Sequence, residues 1–101
     1  MDLDKVYYVY LMANKRRTVI YTGKSTDLLK RVTEHKKKVS PKSFTARYNV
    51  DKLVYFEGFE TNEEARLREQ QIKSGSRQKK IELIEKTNPE WLDLSIGWDL
   101  L

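Results

Sequence analysis

At 101 residues the chain is sized for one domain, since two cores of about 50 residues each would sit near the lower limit for independent folding. It has no cysteine, which excludes disulfides, thiolate metal sites and a cysteine nucleophile, and its single histidine, His35, excludes a histidine-rich metal cluster, leaving carboxylate oxygens as the ligands of any metal. The net charge of +5 is unevenly placed: residues 1–84 carry 19 Lys/Arg against 11 Asp/Glu, while residues 85–101 carry one Lys against four acids, and a basic body of this kind points to a polyanionic partner.

Residues 6–12, VYYVYLM, are β-branched and aromatic and predict a strand. The polar ANKRR at 13–17 reads as a turn, and TVIYTG at 18–23 as the second strand of a hairpin. If Leu11 pairs with Ile20, Tyr10 lies opposite Tyr21 and both phenols share a face, whereas a slip of one residue separates them. Ser25 or Thr26 is placed to cap a helix over 27–37, with Asp27 near its positive end. Leu28, Arg31, Val32 and His35 fall at i, i+3, i+4 and i+7, so Arg31 and His35 lie beside the apolar stripe. Residues 36–47 are cationic, contain Pro41 and predict a loop or a short broken helix. KLVYFEGF at 52–59 predicts a third strand. Thr61 and Glu64 form a capping box for a helix over about 62–73, whose inner face carries Ala65, Arg68, Glu69 and Ile72. Gly75 stops that helix and Ser76 caps the next, over 77–87, before Pro89. The tail contains two Trp and several Leu and is expected to pack on the body. The order β-β-α-(loop)-β-α-α predicts an α+β fold, a three-stranded, mostly antiparallel sheet flanked by helices, in a single domain over 1–101 with its core at about 5–94. No apolar run approaches the roughly 18 residues of a membrane span, and the acidic start lacks a secretory n-region, so a cytoplasmic protein without membrane contact is expected.

Five features carry chemistry beyond the ordinary: the Tyr10/Tyr21 pair, Lys24, the Arg31/His35 pair, Glu69, and the basic segments. Each also has a plain reading. Strand tyrosines usually pack, Arg31 and His35 suit a solvated helix edge, Lys24 suits the surface, and an inward Glu69 usually pairs with a buried arginine. The combination is more specific. The stretch YVY, ten residues, then YTGKSTDLLKRVTEH, followed by the capped EARLREQQIK helix, resembles the GIY-YIG nuclease family, and in particular its small stand-alone members and the excinuclease nuclease domain. Tyr8-Val9-Tyr10 takes the place of Gly-Ile-Tyr, and Tyr21-Thr22-Gly23 that of Tyr-Ile-Gly. The likeness extends over about residues 5–94 through LVYFE, REQQIK and NPEW. Two departures stand out: Tyr8 replaces the glycine of the first motif, and residues 74–84 contain no counterpart of the Asn that several family enzymes carry after the metal-binding Glu, with Asn88 lying late for that role.

The resemblance implies a metal-dependent endonuclease acting on DNA, with RNA as an open alternative substrate and repair or recombination as a setting. It implies one divalent ion, Mg²⁺ or Mn²⁺, held by Glu69, an Arg31 contact to the scissile phosphate, and a tyrosine base. Tyr10 is expected to be that base and Tyr21 to orient water or phosphate, with the roles exchangeable. Nearby cations, Lys24 among them, are expected to lower the phenol pKa from about 10, and His35 is expected to relay a proton or bind phosphate. Lys36, Lys37, Lys38, Lys42, Arg47, Lys79 and Lys80 are candidates for backbone phosphate contacts, which give affinity without sequence reading. Without a separate DNA-reading module, low sequence specificity or a targeting protein partner is expected. The alternative is a catalytically weak or inactive nucleic-acid-binding module of the same fold. The assembly expected is a monomer or a weak homodimer, with the tail around Trp91 and Trp98 as the dimer contact.

Overall fold

The computed structural model describes residues 5–98 and has the expected α+β architecture. Three strands, β1 (Tyr7–Ala13), β2 (Ile20–Ser25) and β3 (Lys52–Phe59), form one antiparallel sheet in the order β2-β1-β3. Four helices flank it: α1 (Leu28–Lys37), α2 (Phe44–Arg47), α3 (Asn62–Ser74) and α4 (Arg77–Thr87). Because β1 is central and covered on both faces, it is apolar on both: Val9 through Ala13 have no exposed surface, and the run YVYLMA shows no polar alternation.

The two faces of the sheet carry separate cores. On one, Val9, Leu11, Ala13 and Val54 pack against Ala65 and Ile72 of α3, Ile84 of α4, and Trp91. On the other, Tyr10, Met12 and Leu53 pack against Leu28 and Val32 of α1 and against Val50. A bulge in β3 serves this division: Leu11 pairs with Tyr55 and Met12 with Leu53, so Val54 is the extra residue between them.

The hairpin register differs from the expected one by two residues. Tyr10 pairs with Gly23 and Met12 with Tyr21, so the phenols are diagonal rather than opposite. Two residues is one full side-chain period, and they remain on the same face. The longer loop follows from Asn14, whose side-chain carbonyl accepts from the Thr18 and Val19 amides, each at 2.9 Å, and from Arg17 in the left-handed region at φ 60°.

The helix ends are as the capping chemistry predicts, with one correction. The cap of α1 is Asp27 itself, which accepts from the Lys30 amide at 3.2 Å, while Ser25 instead accepts from the Asp27 amide. Thr61 and Ser76 cap α3 and α4. The carboxylate of Glu64 accepts from the Thr61 hydroxyl at 2.8 Å, a variant of the box in which the return bond goes to the side chain. The tail is anchored at its tryptophans, while Leu92 and Ile96 are exposed. Trp91 is buried, and Trp98 lies edge-on to Phe56 with ring centroids 5.8 Å apart. A dimer contact through Trp91 is therefore corrected, since that ring belongs to the core beneath Arg17. Among the described residues no helix is long and apolar enough to cross a membrane.

Candidate active site

Tyr10 enters the site from the central strand. Its ring lies across β2 at Gly23, where a Cβ would stand only 2.5 Å from both Cζ and the hydroxyl oxygen. The absent side chain is what lets the phenol cross β2 and reach α1, where its hydroxyl meets Nε2 of His35 at 3.1 Å. On the other side of the imidazole, Nδ1 is 2.8 Å from Oγ1 of Thr45, on α2. His35 is thus clamped between a strand and a second helix. The Tyr21 ring completes the cluster, with centroids 6.2 Å from Tyr10 and 5.3 Å from His35. Arg31, one turn before His35 on α1, places its guanidinium beside the Tyr10 hydroxyl and makes a long 3.4 Å bond to Glu34.

The electrostatics correct one expectation. The Tyr10 phenol is not lowered by its cationic neighbours but pushed up to about 12. Burial dominates and the adjacent Tyr21 phenol adds to the rise, while Arg31 only partly offsets them. Tyr10 also has no exposed surface in this fold. Tyr21 is half-buried and is the phenol that faces outward. Burial, and then the Arg31 charge, lower the His35 pKa against a smaller opposing pull from Glu34. The imidazole is therefore neutral at pH 7, with one nitrogen donating and the other accepting.

The remaining candidates lie elsewhere. Lys24 pairs with Val9 on the α3 side of the sheet and donates to Asn62 Oδ1 at 2.9 Å, so it does not stand beside the tyrosines as expected. Glu69 is on the inner side of α3, the helix on that same face, and its carboxylate lies 3.3 Å from Lys73 Nζ. Neighbouring Arg68 is engaged by Glu57 at 2.8 Å. Among the described residues no three acidic or histidine side chains gather at one point, so a metal here would rest on Glu69 with waters and phosphate oxygens. One carboxylate suits Mg²⁺, which keeps most of its waters, and the ion pair with a mostly exposed lysine is a weak competitor.

The basic residues fall into two groups. Lys36, Lys37, Lys38, Lys42 and Arg47 lie on α1, α2 and their connection, and α1 packs on the face of the sheet that carries Tyr10. Of these, Lys36 is engaged by Asp93 at 2.6 Å and Lys38 by Asn49 at 2.6 Å. Lys79 and Lys80 start α4, which packs on the other face, and Lys80 caps the α3 end through the Gly75 carbonyl at 2.8 Å. Asn88 holds the tail. It donates to the Val54 and Leu92 carbonyls at 3.1 and 2.9 Å and accepts from the Leu92 amide at 3.0 Å. Sequence reasoning missed Thr45. Nothing in the spacing links it to His35, and only the fold of the 36–47 segment brings them together.

A family model described as the GIY-YIG catalytic domain matches residues 6–82. The chain is 42% identical over 82 residues to a UPF0213 protein of Staphylococcus saprophyticus, covering 81% of this chain and 96% of that one. It is 39% identical over 83 residues to a UPF0213 protein of Haloquadratum walsbyi, covering 82% and 91%. The solution NMR structure of a UPF0213 protein from Bacillus halodurans is similar with a TM-score of 0.56 and 27% identity, covering 91% of this chain and 97% of that one. With the paired tyrosine motifs on one hairpin, the α+β topology, and a catalytic-domain match over most of its length, the chain belongs to the GIY-YIG family.

Proposed function

We propose that the protein is a metal-dependent endonuclease that hydrolyses phosphodiester bonds in DNA with little sequence preference. The observation that carries this reading is the gathering of Tyr10, Tyr21, Arg31 and His35 on one face of the hairpin. Hydrolysis needs a water that loses a proton and a donor for the charge that grows on phosphorus. Arg31 serves as that donor, because its side chain is 42% exposed and its Glu34 bond is long, so its planar fork can turn to a phosphate. Tyr21, the outward phenol, takes the water's proton as it passes its own inward. Tyr10 takes that proton as it gives its own to Nε2 of neutral His35 across the 3.1 Å contact, so that the imidazole ends protonated. Thr45 sets the orientation of the ring. β2 is the edge strand, so a phosphodiester laid over it faces Tyr21 and Arg31 from one side and the α3 face, with Lys24 and Glu69, from the other. Glu69 would hold a Mg²⁺ or Mn²⁺ ion, which when bound supplies Lewis-acid polarisation of a phosphate oxygen and charge neutralisation at the leaving oxygen.

The test is cleavage of supercoiled plasmid, flapped and branched DNA, and single-stranded RNA in Mg²⁺, Mn²⁺ or EDTA. Cleavage is expected to need the divalent ion, to disappear in Glu69→Gln, and to fall by roughly 10²-fold or more in Tyr21→Phe. Cleavage that persists in EDTA or in Glu69→Gln would overturn the metal assignment. Exposed Lys37 and Lys42, which would hold a phosphate backbone with or without a metal, favour a second reading, a nucleic-acid-binding module without catalysis. Oligonucleotide binding with no cleavage under any of these conditions would establish it.

A further inference from the structure

The face that carries the tyrosine cluster also presents aromatic surface that the core does not use. Phe44 and Tyr48 are 50% and 47% exposed. They flank α2 at i and i+4, with ring centroids 4.9 Å apart. The Phe44 ring lies 6.5 Å from that of Tyr21 at an interplanar angle of 31°, and the Arg47 guanidinium lies 5.9 Å from the Tyr48 centroid. An aromatic track therefore runs outward from the candidate catalytic phenol through Phe44 to Tyr48. Two large rings left half in water on a four-residue helix mark a surface with a partner.

The charge around the track says which partner. Residues 36–50 contain five Lys/Arg and no acid, and among the described residues only Lys36 of the five is paired with a carboxylate, that of Asp93. An apolar peptide would gain nothing from those cations. A closed duplex offers phosphates but keeps its base faces stacked inside. An unpaired nucleotide offers both a phosphate for Lys42 or Arg47 and a π face for an aromatic ring. We propose that Phe44 and Tyr48 form a stacking platform for unpaired nucleobases, so that the bound strand is single-stranded where it leaves the phosphate held at Tyr21 and Arg31. This rests on the nucleic-acid reading of the site and narrows its substrate to single strands, flaps and gaps.

The experiment is equilibrium binding in EDTA, where cleavage plays no part. The probes are a fluorescein-labelled single-stranded DNA 12-mer, the RNA of the same sequence, a 12-mer with an abasic run at its centre, and the DNA duplex. The intact protein is compared with Phe44→Leu and Tyr48→Leu, whose rings are half exposed. The expected result is that the unmodified single strand binds roughly tenfold or more tighter than the abasic strand. Each leucine variant should lose about five-fold or more on the unmodified strand, with little change on the abasic strand or the duplex. The comparison between unmodified and abasic strands needs no variant and stands if a variant misfolds. Equal affinity for the two strands, or a duplex preferred over both, would overturn the platform while leaving the nucleic-acid reading intact. Failure of every probe to bind would overturn both readings. Discrimination between the DNA and RNA strands identifies the sugar.

Discussion

Gly23 and Tyr10 work as one unit. In the sequence, Gly23 reads as no more than the end of a strand. In the fold it is the partner of Tyr10 across the ladder, and the phenol occupies the volume its side chain would need. Adding a single methyl there forces the ring or β2 to move. Gly23→Ala is expected to cost about 1–3 kcal/mol, the usual range for overpacking a buried site, and to break the Tyr10–His35 contact. Urea unfolding followed by circular dichroism measures this, and a midpoint equal to the parent's would refute it. The two tyrosines also show how far a pattern reaches. Their shared face was legible from strand alternation, and it survived a register error because the error was a whole period. Their division of labour was not legible. Tyr10 is wholly buried because β1 is the central strand, and Tyr21 faces outward because β2 is the edge, and no property of a tyrosine announces which strand it will occupy.

At the scale of elements, the caps were the most legible feature, because a cap is a local bond between residues three apart. Thr61 and Ser76 needed nothing beyond the neighbouring amide. α2 and the tail were less legible, since both are held by long-range bonds. Asn88 illustrates this. Its side chain bonds the β3 carbonyl of Val54, 34 residues away, and folds the tail through Leu92. Removing it leaves buried backbone groups without partners, so Asn88→Ala is expected to destabilise the protein by about 2–4 kcal/mol. A loss under about 0.5 kcal/mol in chemical denaturation would show that water replaces those bonds. The tail also bonds back through Asp93, which accepts from the Leu53 amide at 3.2 Å and from Lys36 at 2.6 Å. A lysine that the sequence offers as a phosphate ligand is thereby engaged by the tail.

For the whole molecule, stability should follow pH through His35, where β1, α1 and α2 meet. Burial and the Arg31 charge hold its folded pKa below the ordinary value of 6.5, with Glu34 opposing. Between the folded value and 6.5 the unfolded chain binds more protons than the folded one, so stability is lost as pH falls through that window. Asp93 acts separately and lower. Burial pushes its carboxyl up, but the bonds from Lys36, Ser95 and Leu53 outweigh burial and hold it below 3.8, so its contribution disappears only in stronger acid. The urea midpoint is therefore expected to decline as pH falls below about 6.5 in the wild type and to stay level over the same range in His35→Gln. A level wild-type profile would show that His35 is not the group responsible.

The sequence by itself determined the order of elements, the caps of α3 and α4, the shared face of the tyrosines and the likeness to the GIY-YIG family, because each of these rests on neighbours within a turn, on a side-chain period or on a motif. Only the tertiary structure decided that Tyr10 is sealed, that Thr45 clamps His35, that Lys24 and Glu69 lie across the sheet from the phenols, and that Phe44 and Tyr48 remain in water beside them. These depend on which strand is central and which helix covers which face, and that choice is made by long-range burial rather than by local pattern.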